Sequence, residues 1–107
     1  MIATQPFAWG GSLADADLVR ARVTQCALSR ICGSCGRPQG RPIAFVGTER
    51  EVGRNAFHAP PLHLSCARAL VAERSDWRLV TTAGFEFVRP GRDEPEDRPT
   101  FQPNSLL

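Results

Sequence analysis

Four side chains with metal-binding chemistry occur in two short motifs that are far apart in the sequence. Cys32 and Cys35 form a C-x2-C motif, and His63 and Cys66 form an H-x2-C motif, with 27 residues between the two. Three thiolates and one imidazole are a donor set that suits a tetrahedral Zn²⁺ ion. The spacing therefore predicts one structural zinc ion bound by Cys32, Cys35, His63 and Cys66.

The residues around each motif fit this prediction. Gly36 follows the second cysteine, where it can adopt the left-handed conformation that closes a tight turn. Pro60 and Pro61 precede an apolar stretch, and proline suits the first turn of a helix. We therefore expect a helix over residues 59–72 that carries both later ligands, because positions three residues apart lie on one helix face. The positive end of that helix would favour a thiolate.

Two other residues have the chemistry of a ligand. His58 lies five residues before His63 and is the alternative fourth ligand; we prefer His63 because it would share a helical turn with Cys66. Cys26 lies among apolar helical positions, and we expect it to be a small buried side chain.

Two readings of the cysteines need no metal. A C-x2-C motif can be a redox pair, but that motif opens a helix in thioredoxin-like proteins, whereas Gly36, Pro38 and Gly40 follow here and oppose a helix. Four free core cysteines are the other alternative. No apolar run approaches the ~20 residues of a membrane helix, and the first ten residues lack the features of a signal peptide. We therefore expect a cytoplasmic protein without a membrane partner, whose thiols stay reduced.

The rest of the sequence indicates the elements that must position these ligands. We predict a globular domain over residues 1–90 and a flexible tail over 91–107, where charges and four prolines leave little to bury. Within the domain we expect a short strand at 5–9, a helix at 15–30 with Ser12 as its cap, a central hairpin of strands 42–47 and 52–57 joined by a polar turn, the ligand-bearing helix, and a C-terminal hairpin of strands 77–82 and 85–88.

This order predicts an α+β fold. A cysteine knuckle, a hairpin and a helix with the last two ligands follow one another in treble-clef zinc fingers, so we expect a small, treble-clef-like single domain. The pattern CxxCGxxxGxxxAFV…PPxHxxCA also resembles that of a group of small, uncharacterised bacterial and phage proteins. The likeness covers residues 7 to about 70 and ends after Ala72, where a Cys-Pro-Phe-like segment of that group is absent. The resemblance implies zinc bound by the same four residues and implies no activity.

Composition restricts the function less than the motifs do. The chain has 107 residues, 42% of them hydrophobic and 22% charged, with a net charge of +2. All thirteen basic residues are arginines. Residues 1–72 contain eight arginines and four acidic residues, whereas residues 73–107 contain five arginines and seven acidic residues. This asymmetry permits a phosphate-facing surface but does not require one.

We expect no enzymatic activity, because a zinc ion with four protein ligands has no open position for water. The leading hypothesis is an adaptor or regulator that binds a protein partner. The alternative is a nucleic-acid-binding zinc finger whose phosphate contacts come from arginines near the zinc module: Arg37, Arg41, Arg50, Arg54 and Arg68. A more remote alternative is an HNH-like nuclease, since such enzymes share the treble-clef core and Asn55, His58 and His63 invite the comparison.

Overall fold

The computed structural model describes residues 6–13, 17–90 and 98–105. Along these ranges the chain forms three helices and five strands in the order α1 (Arg20–Ser29), β1 (Ile43–Gly47), α2 (Glu49–Arg54), β2 (Leu62–His63), α3 (Leu64–Glu73), β3 (Arg78–Thr82), β4 (Gly84–Val88) and β5 (Thr100–Ser105). The fold is therefore α+β, as the sequence predicts. Among the helices of these ranges, none has both the length and the apolar character to cross a membrane.

The strands form two antiparallel sheets, and β1 is the central strand of the larger one. One sheet has the order β2-β1-β3, and the other pairs β4 with β5. All five residues of β1 are buried, as its apolar sequence requires for a central strand. Helix α3 packs against β1 and β3. The ring of Phe45 lies 5.6 Å from that of Phe85 and 5.8 Å from that of Phe101, so the second sheet is joined to the first through aromatic contacts.

The predicted central hairpin is wrong, because the segment after β1 is a helix. The hydroxyl of Thr48 accepts a hydrogen bond from the backbone N–H of Glu51, and the Glu51 carboxylate accepts one from the N–H of Thr48 at 3.1 Å. This capping box is the T-x-x-E signature of a helix start, and it occurs in a polar stretch that resembles a turn. The strand neighbours of β1 are therefore β2 and β3, which come from later in the chain.

Both longer helices begin later than predicted. The N–H and hydroxyl of Ser12 both donate to the carboxylate of Asp17 at 2.7 Å, so Ser12 closes a loop and does not cap α1, whose N-cap is Val19. Helix α1 starts only at Arg20, and the expected early strand is reduced to a single bridge between Trp9 and Leu18. The predicted positions 5 and 14–16 lie outside the described residues.

The start of α3 is shifted for a different reason. Leu62 and His63 pair with β1 as the short strand β2, so the helix begins at Leu64 with His63 as its N-cap. Pro60 and Pro61 consequently lead into a strand and do not occupy the first helical turn.

The predicted C-terminal hairpin is also wrong, although both of its strands exist. β3 pairs with β1 over five residues, and β4 pairs with β5. The hydroxyl of Thr82 donates to the carbonyl of Gly84 at 2.7 Å, which stabilises the bend where the chain passes from one sheet to the other. The free edge of β1 and the later strand β5 supply the partners, and neither is visible in the local sequence of residues 77–88.

The predicted flexible tail does not hold for the part that the structure describes. Thr100–Ser105 forms β5, and the side chain of Phe101 is fully buried. The N–H and carbonyl of Phe101 also exchange hydrogen bonds with those of Phe57, at 2.7 and 2.9 Å. The prolines and charges of this segment favoured a flexible tail, but a single buried aromatic residue, Phe101, packs the strand against the core. Residues 91–97 and 106–107 lie outside the described residues.

We predict that Phe101→Ala lowers the free energy of unfolding by about 3 kcal/mol, because it removes a fully buried ring that contacts Phe45, Phe85 and Phe87. Urea denaturation measures the change. Gln102→Ala, on the next residue of the strand, is the control and should cost less than about 1 kcal/mol. Equal, small changes for both variants would show that β5 does not belong to the core.

Candidate metal centre

The structure brings the four sequence-predicted ligands together. One donor atom each from Cys32, Cys35, His63 and Cys66 can be chosen so that all lie within 4.8 Å of one another. The Nδ1 atom of His63 lies 3.3 Å from the Sγ of Cys35 and 4.0 Å from the Sγ of Cys66. A tetrahedral zinc ion with bonds of about 2.0–2.3 Å needs neighbouring donors about 3.5–3.8 Å apart. The cluster therefore has the size and the donor types for one metal ion, and its geometry leaves the identity of that metal open.

The first two cysteines are held in a tight loop between α1 and β1. Ile31 and Pro38 form a bridge across the base of this loop. Inside it, the N–H of Cys32 donates to the carbonyl of Arg37 at 2.8 Å, and the N–H of Gly36 donates to the carbonyl of Cys32 at 2.9 Å. Gly36 has a φ of +73°, which side chains disfavour, so the predicted role of this glycine in closing the turn is confirmed.

The loop is fixed to the rest of the fold by the two prolines that precede β2. The N–H of Gly33 donates to the carbonyl of Pro61 at 2.9 Å. A Cβ atom added to Gly33 would lie 2.4 Å from the Cγ of Pro60, so only glycine permits this approach. Pro60 and Pro61 are fully buried. Their role is therefore to hold the cysteine loop beside β2, which sequence reasoning missed because it assigned them to a helix.

The second pair of ligands is positioned by the junction of β2 and α3. Pairing with Ile43 fixes the backbone of His63 at the edge of β1. Cys66 then lies in the first turn of α3, three residues after His63. Both ligands thus start from regular structure. The prediction that one helix carries both of them is wrong, because His63 belongs to β2 and precedes α3 as its N-cap, and only Cys66 lies on the helix.

Backbone N–H groups point at the sulfur atoms. The N–H groups of Ser34 and His63 both lie 3.4 Å from the Sγ of Cys32, and each donates to it. One donor comes from the cysteine loop and the other from β2, so the Sγ of Cys32 joins the two segments. Hydrogen bonds of this kind to a ligand atom are typical of the surroundings of a metal site.

The orientation of the His63 ring suits metal binding through Nδ1. Its Nε2 atom lies 2.9 Å from the carbonyl oxygen of Pro38. A carbonyl can only accept, so Nε2 carries a proton and donates it, and Nδ1 is the ring atom that faces the thiols and can bind a metal. Histidine ligands typically have such a partner on the second ring nitrogen. The acceptor for this proton is therefore a backbone carbonyl of the cysteine loop, that of Pro38.

The electrostatics of the cluster favour a bound cation. Burial, together with the negative charge of Cys32 and Cys35, raises the pKa of the Cys66 thiol to about 12. At Cys35, burial raises the pKa of the thiol. Hydrogen bonds from the Arg37 N–H, Cys32 and His63, together with the charge of His63, lower it by more, so the pKa of this thiol lies below its usual value. A positive ion bound between the sulfur atoms would therefore favour ionisation of Cys66, which is otherwise opposed. Because metal binding must displace protons, the affinity for a divalent metal should increase with pH.

The other candidate ligands lie elsewhere. The backbone N–H of His58 donates to the Glu51 carboxylate at 3.0 Å, and its Nδ1 atom lies 3.5 Å from the same oxygen. Cys26 is fully buried on α1, as predicted, where burial and the neighbouring Cys32 raise its pKa to about 12. Asn55, considered for a nuclease site, donates its side-chain amide to the carbonyl of Pro103 at 2.8 Å.

The five arginines considered for phosphate contacts are all exposed. Arg37 lies in the cysteine loop, Arg41 precedes β1, and the others lie on α2 and α3: Arg50, Arg54 and Arg68. Within the described ranges, no hydrogen bond or ion pair engages their guanidinium groups. The structure thus leaves these charges available to solvent.

Comparisons with protein-family models, curated protein sequences and solved structures find no match to this chain. The resemblance of the cysteine and histidine pattern to small bacterial and phage proteins therefore stays a prediction. What the chain does has to be inferred from its own residues.

We predict that His63→Ala weakens metal binding by at least about tenfold, because it removes a donor from the cluster and loss of a mere supporting contact already costs about that much. His58→Ala is the matched control and should retain the affinity of the unchanged chain. Competition of each variant with a zinc chelator measures the affinity. Loss of the metal from the His58 variant alone would assign the fourth ligand to His58.

Proposed function

We propose that this chain is a structural-zinc protein whose domain is treble-clef-like. The observation that carries the proposal is the His63 ring, with Nδ1 directed at the thiols and Nε2 bound to Pro38. The order of elements gives further support: the cysteine loop, the antiparallel pair β1 and β2, and the helix α3 with the last ligand follow one another as in a treble clef. Helix α2 is an insertion between the paired strands.

The zinc ion in this proposal stabilises the fold and has no catalytic role. Three thiolates and one imidazole complete a tetrahedral shell, so no position remains at which water could be activated. A structural zinc site contributes about 10–16 kcal/mol of apparent binding free energy in small domains, which equals or exceeds the whole stability of a typical domain. We therefore infer that the protein acts through its surface and not through its metal.

The surface role that we propose is that of an adaptor that binds a protein partner. Leu28 is 68% exposed and Val52 is 36% exposed, and these are the large apolar side chains that the described residues leave at the surface. The strand β3 also has β1 as its only strand neighbour in the ranges described, and a sheet edge of this kind can pair with an extended peptide. The net charge of only +2 is compatible with such an interface.

Affinity capture followed by reconstitution tests the adaptor proposal. The zinc-loaded protein is used to capture partners from a nuclease-treated extract of its native cells, and the captured protein is then purified and titrated. We expect a stoichiometric complex that Leu28→Glu or Val52→Glu weakens at least about tenfold, because a charge replaces an apolar contact. Gln25→Glu, an exposed change on α1, is the control. Binding that neither apolar substitution weakens would contradict an interface at these residues.

The second candidate function is nucleic-acid binding, and two observations favour it. The five exposed arginines described above have no acidic partner among the described residues. In addition, the guanidinium groups of Arg30 and Arg89 lie 5.7 Å from the ring centres of Phe85 and Phe87. Combinations of cationic and aromatic side chains bind single strands by phosphate contacts and base stacking.

A salt titration distinguishes this candidate from the adaptor. If the arginines contact phosphates, binding of a single-stranded or duplex oligonucleotide should weaken steeply with salt, and the double variant Arg41→Ala with Arg54→Ala should reduce the salt slope by about two. Arg78→Ala, which removes a side chain that already pairs with Glu49 at 3.3 Å, is the control. An absence of oligonucleotide binding at low salt would exclude the candidate.

A further inference from the structure

A small polar cavity lies between the end of α2 and the β4–β5 sheet, away from the cysteine cluster. Its volume is about 210 Å³. Four polar side chains line it, those of Arg54, Arg98, Thr100 and Gln102, and Ala56 and Val88 form apolar walls. We propose that this cavity binds one oxyanion group, a phosphate or a carboxylate. The site is independent of the zinc ion and of the surfaces considered above for a protein partner.

The fold places the two side chains of β5 on the cavity side. Thr100 and Gln102 are two residues apart and so lie on one face of the strand, whereas Phe101 between them enters the core. Thr100 pairs with Val88 across the sheet, which accounts for the apolar wall next to the hydroxyl. The register of the sheet therefore fixes the positions of two hydrogen-bond donors, Thr100 and Gln102, and of the apolar wall formed by Val88.

A separate contact fixes the helix against this strand. Arg54 is the last residue of α2, and Asn55 ends the helix in the left-handed conformation, with a φ of +52°. The side-chain amide of Asn55 donates to the carbonyl of Pro103 at 2.8 Å. The end of α2 is thereby tied to β5, which brings the Arg54 side chain to the same cavity as Thr100 and Gln102.

The chemistry of the lining matches an oxyanion. All four polar side chains provide hydrogen-bond donors, and the two guanidinium groups stay cationic at any physiological pH. Arginine also binds carboxylates and phosphates with two parallel hydrogen bonds. No hydrogen bond engages the side chains of Arg54, Thr100 or Gln102 in the part of the chain that the structure describes. The donors of these three side chains are therefore available to a ligand.

The size of the cavity limits the ligand. Pockets for whole small molecules measure about 300–1,000 Å³, which exceeds the volume found here. A phosphate or carboxylate group fits, and the remainder of a larger ligand would extend into solvent. The bound group is therefore the anionic end of a molecule or a free anion.

Acidic residues of the chain affect the conditions under which anion binding is measured. Glu86 lies opposite Gln102 across the sheet but does not line the cavity. Four acidic residues also lie between Pro90 and Arg98 in the sequence: Asp93, Glu94, Glu96 and Asp97. These four carboxylates add negative charge to the chain, which opposes the binding of an added anion most strongly at low ionic strength. A second form of the full chain, with these four carboxyl groups replaced by amides, should therefore bind an anion more tightly.

Titration of the zinc-loaded protein with inorganic phosphate, and separately with acetate, tests the proposal. Nuclear magnetic resonance follows the side-chain signals of Arg54 and Gln102 at low ionic strength. We expect saturable shifts with at least one of the two anions, and tighter binding in the amide form. Saturation by phosphate alone identifies phosphate as the source, and saturation by acetate alone identifies a carboxylate.

Matched variants show whether the anion occupies this cavity. Arg54→Ala and Thr100→Val should each weaken binding, the arginine change by about tenfold, since it removes a charge-assisted hydrogen bond. Arg50→Ala is the control, because Arg50 lies exposed on the same helix and does not line the cavity. The proposal is overturned if neither anion saturates either form of the protein, or if Arg50→Ala weakens binding as much as Arg54→Ala.

Discussion

The physical constraint on which the rest of this structure depends is the convergence of four donor atoms from two segments about 30 residues apart. Hydrogen bonds join the cysteine loop to the β2–α3 junction: the N–H of His63 donates to the sulfur of Cys32, and the ring of His63 donates to the carbonyl of Pro38. Burial and the neighbouring thiols raise the pKa of Cys66, whereas hydrogen bonds and the charge of His63 lower that of Cys35. A cation placed between the sulfur atoms would favour their ionised forms.

A domain of this size can bury only about two thirds of its unfolded surface. The Cys and His cluster and the aromatic core both connect segments that are distant in the sequence. The core around Phe45 and Phe101 connects the two sheets, and the cluster connects the segment before β1 to the segment after it. Gly33 and Pro60 join these two parts, since the cysteine loop packs directly on the buried prolines. In our proposal, a zinc ion bound at the cluster leaves the exposed faces of α1, α2 and the β4–β5 sheet available for recognition.

The ligand cluster and the α+β class could be predicted from the sequence, whereas the strand pairing could not. Cysteine and histidine spacing is a local signal whose chemistry admits few alternatives, and Ile43–Gly47 is recognisable from its apolar run. Pairing depends on which strand edges remain unoccupied, and this is not visible in the local sequence. β3 therefore pairs with β1, and β4 pairs with the distant segment Thr100–Ser105. Helix α2 had a local signal, the Thr48 and Glu51 capping box, which the polar composition of the segment obscured. The burial of Phe101 had no local signal in the sequence except one aromatic residue among prolines.

The most direct test of the metal site is X-ray absorption at the zinc edge, on protein purified without added metal, with the metal content of the same sample determined. The account predicts one zinc ion per chain, with three sulfur neighbours at about 2.3 Å and one nitrogen neighbour at about 2.0–2.1 Å. Protein that folds and stays stable without any bound metal, or a bound zinc whose neighbours are mostly oxygen, would contradict it.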